Sequence, residues 1–120
     1  YYERVMKKIS ATCPIERAQE VIGGKWKICI LGKLLVRTYR YSELKKEMPD
    51  ISNKMLTQTL RALEKAGLVD RYVYAVVPPK TEYSPTALGK TLEPMLVEIE
   101  KWSLLNKDKV DNFIEQILSE

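Results

Sequence analysis

Residues 51–80 constrain this chain more than any other stretch, because they spell a helix with both ends marked and then a turn-rich ribbon. Ser52 is an N-cap residue whose hydroxyl can accept from an orphan backbone N–H one turn in. Ile51 before it and Leu56 after it hold the two positions of a hydrophobic staple. At the other end Gly67 can take the left-handed conformation that stops a helix, and Leu68 then folds back on Leu63 as in a Schellman cap. The spacing predicts one helix over residues 53–66. At ~100° per residue Leu56, Leu60 and Leu63 gather on one side. Lys54, Thr57, Gln58, Arg61 and Lys65 lie on the other, with Asn53 at the N-terminal edge. Such a face is by itself a solvated surface. It also carries the side chains that suit a duplex: Arg forks onto guanine, Asn and Gln pair with adenine, and Thr touches a thymine methyl or a phosphate.

Two neighbours raise the weight of the second reading. A short helix is expected over residues 42–48 directly before, and a two-stranded β-ribbon tipped by Pro78-Pro79-Lys80 directly after. Helix, turn, helix and ribbon is the order of a winged helix-turn-helix. With it come Cys13-Pro14-Ile15, Gly23-Gly24-Lys25-Trp26, Arg40-Tyr41-Ser42-Glu43-Leu44 and Ile51-Ser52-Asn53-Lys54-Met55-Leu56-Thr57. Leu60-Arg61-Ala62-Leu63-Glu64, Gly67-Leu68-Val69-Asp70-Arg71 and Val77-Pro78-Pro79-Lys80-Thr81-Glu82-Tyr83-Ser84 continue the series. In this order and spacing, over about residues 13–103, the chain resembles the HxlR-type family of bacterial transcription regulators, which are MarR-like. The resemblance implies double-stranded DNA as partner, a homodimer formed by the terminal helices, and a wing lying along the minor groove.

The charge pattern agrees with that expectation. The net charge of +4 divides into +1 over residues 1–22, +7 over residues 23–80 and −4 over residues 81–120. The basic excess sits where the helix-turn-helix and ribbon are, and attraction to a polyanion is mostly this sequence-independent phosphate term. Arg40, at a helix start, can reach a phosphate across the groove edge, with a plain surface arginine as the equal alternative, and Arg71 and Lys80 are the ribbon cations placed to touch the backbone. The candidate DNA-binding residues are therefore Arg40, Ser52, Asn53, Lys54, Thr57, Gln58, Arg61, Arg71 and Lys80.

Elsewhere the readings are mainly structural. A short helix over residues 3–12 would carry Val5, Met6 and Ile9, and another is expected over residues 15–22. Gly23-Gly24 interrupts, and a core helix from 25 to about 36 follows with Ile28, Ile30, Leu31, Leu34 and Leu35. Trp26 is expected to fill the domain centre, and Cys29, among those apolar residues, to be a small buried hydrophobe. After Gly67, Val69, Arg71, Val73 and Ala75 alternate with Asp70, Tyr72 and Tyr74 at a strand period. Thr86 caps the next helix. Leu88, Leu92, Met95, Ile99, Trp102 and Leu105 then make a heptad stripe, in which Pro94 imposes a kink or a late start. A last helix over residues 109–118 carries Val110, Phe113, Ile114, Ile117 and Leu118.

The expected fold is mainly α with a small β-hairpin (α+β), a winged helix-turn-helix with extra N- and C-terminal dimerisation helices. Its 120 residues make a single domain, with a DNA-binding core at about 13–86 and dimerisation helices at about 1–12 and 87–120. A two-fold dimer would set two recognition helices ~34 Å apart on successive turns of the major groove. No apolar run approaches a membrane span and no signal peptide is visible, so the expected place is the cytoplasm. The chain opens on Tyr1 rather than Met, which suggests a trimmed start.

With no histidine, His-based catalysis and His metal sites are excluded, and two cysteines alone cannot complete a four-ligand zinc site. No Gly-rich phosphate loop appears, and no catalytic residue, cofactor or enzyme activity is expected. Cys13 precedes Pro14 at a helix start, where backbone N–H groups and the helix dipole favour a thiolate. The resemblance implies that a cysteine there senses oxidants or electrophiles in some members; an unreactive, half-buried thiol is the equal alternative. Two other functions stay open at this point. One is a winged-helix module for protein–protein contact, and the other a regulator whose signal is a small molecule held between the wing domain and the terminal helices.

Overall fold

The computed structural model describes residues 13–120, so the helix expected over residues 3–12 lies outside the described residues. In chain order the elements are α1 (Pro14–Ile22), α2 (Lys27–Val36), β1 (Tyr39–Arg40), α3 (Tyr41–Glu47), α4 (Asn53–Lys65), β2 (Val69–Tyr74), β3 (Lys80–Pro85), α5 (Ala87–Lys90), α6 (Glu93–Leu105) and α7 (Lys107–Leu118). This is a mainly helical molecule with a small antiparallel sheet, arranged as a winged helix-turn-helix.

Local chemistry sets both ends of α4. The Ser52 hydroxyl accepts from the Met55 N–H at 3.0 Å. At the C-terminus Gly67 has φ 78°, the Leu68 N–H donates to the Leu63 carbonyl at 3.0 Å, and the Gly67 N–H donates to Glu64 at 3.0 Å. Those two bonds are the Schellman pair, and they satisfy carbonyls that the helix itself leaves open. A thirteen-residue helix is marginal alone in water. Burial of Leu56, Leu60 and Leu63, at roughly 1.5–3 kcal/mol each, is what holds it.

Those leucines meet Ile30, Leu31 and Leu34 of α2, Leu44 of α3, and Met48, Ile51, Leu68 and Val69 in one cluster, closed by Tyr39 and Tyr83. Trp26 is not at its centre, contrary to the sequence expectation. It stands at the N-cap of α2, half-buried against the cluster's edge with the Lys25 ammonium 4.7 Å from its ring. The reason is positional: leucines and isoleucines from later turns already fill the middle. Helix α2 accordingly begins at Lys27, after the Trp26 cap.

The sheet has three strands in the order β1-β3-β2, not two. Tyr39 pairs with Tyr83 and Arg40 with Glu82, while β2 and β3 run in register from Val69 opposite Pro85 to Tyr74 opposite Lys80. A strand two residues long has no periodicity to read, so β1 was invisible until β3 lay beside it. The period-two pattern of β2 does not mark a buried face either. Only Val69 of that strand is buried, and Val73 is half exposed, because the ribbon projects beyond the body and water reaches both sides.

The Thr86 hydroxyl accepts from the Gly89 N–H and caps α5. Pro94 then falls in the first turn of α6, where its missing N–H costs nothing, so the late start is the outcome rather than a kink. Leu92 and Leu96 pack on the core and α6 lies against α2.

Candidate nucleic-acid interface

Helix α4 has one face in the core and one in water. Lys54, Gln58, Arg61 and Lys65 are exposed on the outer face with Asn53 at its start, and Thr57 is half-buried beside them. Thr59 turns inward, and its hydroxyl donates to the Met55 carbonyl at 2.7 Å, so this buried polar group is satisfied. Among the described residues no carboxylate lies within ion-pair distance of Lys54, Arg61 or Lys65. Ser52 caps the helix by accepting a bond, which leaves its hydroxyl proton to donate elsewhere.

Helix α3 steadies the start of this face. The Tyr41 hydroxyl lies 3.1 Å from the Asn53 carbonyl oxygen, 3.4 Å from Asn53 Oδ1 and 3.2 Å from Thr57 Oγ1. The Tyr41 ring packs on the core, so the hydroxyl is a fixed peg rather than a loose contact. Sequence reasoning missed it, since nothing local links position 41 to a residue twelve further on. Arg40 is exposed at the α3 N-cap, and its backbone N–H donates to Glu43 Oε1 at 2.9 Å. That bond, with the nearby Arg37 and Arg40 charges, holds the Glu43 carboxyl below its ordinary value. Arg37 reaches both Glu43 and Glu47 and lies 3.7 Å over the Tyr39 ring, bracing the α2–α3 turn.

The two ribbon cations are less free than the sequence implied. Lys80 pairs with Glu82 at 3.2 Å and lies 4.5 Å over the Tyr74 ring, whose hydroxyl donates to Glu82 at 3.0 Å. Lys80 first, then Tyr74, lowers the Glu82 carboxyl from its usual range, and Glu82 in turn raises the Tyr74 phenol. Arg71 sits 3.7 Å from Glu64 of α4, across a groove of about 470 Å³ lined by Thr57, Arg61, Glu64, Lys65, Arg71 and Tyr83. Residues 75–79 at the ribbon tip carry no charge, and Val77 is fully exposed. The structure thus brings Asn53, Lys54, Thr57, Gln58 and Arg61 onto one surface, with Arg71 at its side. Lys80 stands apart, at the tip end of the ribbon.

Comparison with known proteins decides the family. The chain matches the family model described as HxlR-like helix-turn-helix over residues 21–111. It belongs to the HxlR-like family. The HTH-type transcriptional regulator YkvN of Bacillus subtilis is 54% identical over 97 residues, covering 81% of this chain and 80% of YkvN. YdeP of the same organism is 44% identical over 99 residues, covering 82% and 77%. Among solved structures, the redox regulator HypR in its reduced form superposes with a TM-score of 0.79 at 41% identity, covering 83% of this chain and 99% of that one. The reduced form of the transcriptional regulator YodB from B. subtilis gives a TM-score of 0.68 at 32% identity, covering 77% and 91%. This HxlR-like protein is accordingly a DNA-binding helix-turn-helix transcriptional regulator.

The two cysteines of this HxlR-like chain differ from each other and, in one case, from expectation. Cys13 occupies the N-cap of α1, half-buried, with no side-chain capping bond. Cys29 is exposed rather than buried, its Sγ 4.0 Å from the Lys25 carbonyl. Its sequence neighbours are apolar, but at ~100° per residue it points away from the arc of Ile30, Leu31 and Leu34. Among the described residues there is no cluster of three potential metal ligands and no helix long and apolar enough to cross a membrane. The last two helices have no buried residue, and Trp102, Leu104, Leu105, Phe113 and Leu118 are each more than 60% exposed.

Proposed function

We propose that the protein acts in the cytoplasm as a homodimer that binds a pseudo-palindromic operator, each α4 entering a major groove and each wing following the adjacent minor groove. The observation that carries this reading is the outer face of α4. It holds Lys54, Arg61 and Lys65 in water, none of them within ion-pair distance of a carboxylate among the described residues, while the opposite face is locked into the core. Asn53, Gln58 and Arg61 have the donor and acceptor patterns that read base edges, with Thr57 beside them. Arg40, Ser52, Lys54, Arg71 and Lys80 are assigned to the phosphate backbone. Residues 13–86 are the DNA-binding core, and residues 1–12 and 87–120 form the dimer. The exposed apolar residues of α6 and α7 support that division, as does the need of one recognition helix for a second to reach useful specificity. No catalytic step is assigned to the chain.

A thiol signal belongs to the same proposal. Cys13 is half-buried at a helix start, and the relatives HypR and YodB are a redox regulator and a transcriptional regulator with a diamide-treated form. Oxidation or alkylation of Cys13 would alter the packing of α1 and hence the spacing of the two reading helices. The small-molecule reading has one observation in its favour, an apolar cavity of about 220 Å³ between α1 and α5, lined by Ala18, Val21, Ile22, Leu68, Leu88, Thr91 and Leu92. It falls short of the ~300–1,000 Å³ typical of drug-sized ligands, so the thiol reading ranks above it.

The test is a mobility shift with the duplex upstream of the protein's own coding region. Tight retardation at low salt, competed poorly by unrelated DNA, is the expected result. Equal affinity for any duplex, or none, would end the operator reading. Pretreatment with an oxidant should change the affinity of the wild type and not of Cys13→Ser.

A further inference from the structure

Tyr83 forms the floor of the groove between α4 and the ribbon, and its hydroxyl has no partner among the described residues. The residue is only 7% exposed and its ring belongs to the core cluster, but its oxygen is not sealed in: among the described residues no buried side-chain N or O lacks a partner, so this hydroxyl meets the water of the groove. A hydroxyl that water serves in a groove is open to a ligand oxygen that takes the water's place. Arg71 is its direct cross-strand partner, which puts both side chains on the same face of the sheet. From the other wall come Arg61 and Lys65, four apart on α4 and therefore neighbours on the helix surface. Three cations thus face one carboxylate, Glu64, whose 3.7 Å exposed pair with Arg71 is weak and easily shared. Burial raises the Tyr83 phenol, with Arg71 and Arg61 opposing, so the group remains a protonated donor at neutral pH.

We infer that this groove seats one phosphate group, with Lys65 and Arg71 supplying charge, the Tyr83 hydroxyl donating the directional bond, and Arg61 forming the rim shared with the base-reading face. The inference rests on the DNA-binding reading above and goes beyond it by giving Tyr83, Lys65 and Glu64 roles. Glu64 keeps the Arg71 guanidinium turned across the groove in the free protein. A backbone phosphodiester and a free phosphate present the same chemistry. The groove adjoins Asn53, Gln58 and Arg61, which favours the phosphodiester.

The experiment scans single neutral methylphosphonates along an operator duplex against wild type, Tyr83→Phe and Arg71→Ala. The wild type should lose about tenfold in affinity at one phosphate per half-site, the loss of a charge-assisted hydrogen bond. Tyr83→Phe, which keeps the core ring, should bind every sequence more weakly by a similar factor and become indifferent to that one substitution. Arg71→Ala should lower the salt slope by roughly one. A Tyr83→Phe protein that binds like the wild type and keeps full sensitivity at every position overturns the seat, as does an Arg71→Ala protein with an unchanged salt slope. In a second arm, inorganic phosphate is titrated at constant ionic strength while the amide resonances of Arg71 and Tyr83 are followed. Saturable shifts that vanish in Tyr83→Phe would keep the seat and assign it to a free phosphate. A wild type that ignores all duplexes ends the operator reading itself, whereas specific binding with an unaffected Tyr83→Phe ends only the seat.

Discussion

Two tyrosines carry most of what separates this reading face from an ordinary polar helix. Tyr41 touches both Asn53 and Thr57, so its hydroxyl decides how those side chains are presented. Tyr41→Phe keeps the ring in place and removes only the peg. The ratio of operator to unrelated-duplex affinity should fall about tenfold, with unrelated-duplex affinity unchanged, since neutral hydrogen bonds contribute ~0.5–1.5 kcal/mol each. Competition binding reads this directly, and an unaltered ratio would reduce Tyr41 to packing. Arg61→Ala should cost ~1–3 kcal/mol and relax one base position, seen by comparing single-base operator variants. The outward face of α4 was legible in the sequence because Lys54, Gln58 and Arg61 lie on one element at helical spacing. Tyr41 and Tyr83 were not, because each acts on an element far along the chain. Cys29 was misread for a related cause: its sequence neighbours Ile28 and Ile30 are not its neighbours in space.

Elements whose ends are fixed by adjacent residues were the legible ones. Ser52 and Gly67 mark α4, Thr86 marks α5, and Pro94 marks the start of α6. Strand β1 was hidden because it exists only through pairing with β3. The α4 cap makes a quantitative prediction. Gly67 has φ 78°, where a Cβ is strained, so Gly67→Ala should destabilise by about 1–2 kcal/mol and lower the melting temperature by roughly 5 °C. Helix α3 and the sheet together add a pH dependence. Glu43 and Glu82 have folded-state values below the ordinary 4.5, so their contribution is present above that value and lost as pH falls through the folded one. Tyr74 and Tyr83 are raised above 10.0, so theirs is present below that value and lost as pH climbs through the folded one. Thermal melts should therefore be flat near neutrality and fall at both extremes. Glu82→Gln should soften the acid limb, and an identical limb in that variant would count against the assignment.

At the scale of the whole molecule, the basic centre and the acidic tail divide the work. The −4 net charge of residues 81–120 disfavours contact of this tail with a polyanion, and the exposed apolar residues of α6 and α7 fit the dimer proposed above. Trp102→Glu combined with Phe113→Glu should yield a monomer in sedimentation and weaken operator binding by 10²–10⁴ through lost avidity. A double variant that stays dimeric would place the interface elsewhere. The sequence hinted at this surface through its heptad stripe. It did not show that Leu92 and Leu96 turn inward while Trp102 and Leu105 remain in water.

The junction between α4 and α5 leaves no slack. The Thr86 hydroxyl donates to the Gly67 carbonyl, its N–H donates to the Leu68 carbonyl at 3.0 Å, and a side chain on Gly89 would collide with that same Leu68 oxygen. These contacts tie the start of α5 directly to the end of α4. A tilt of α5 would therefore pull on the carboxyl end of α4, the way a tiller acts on its rudder.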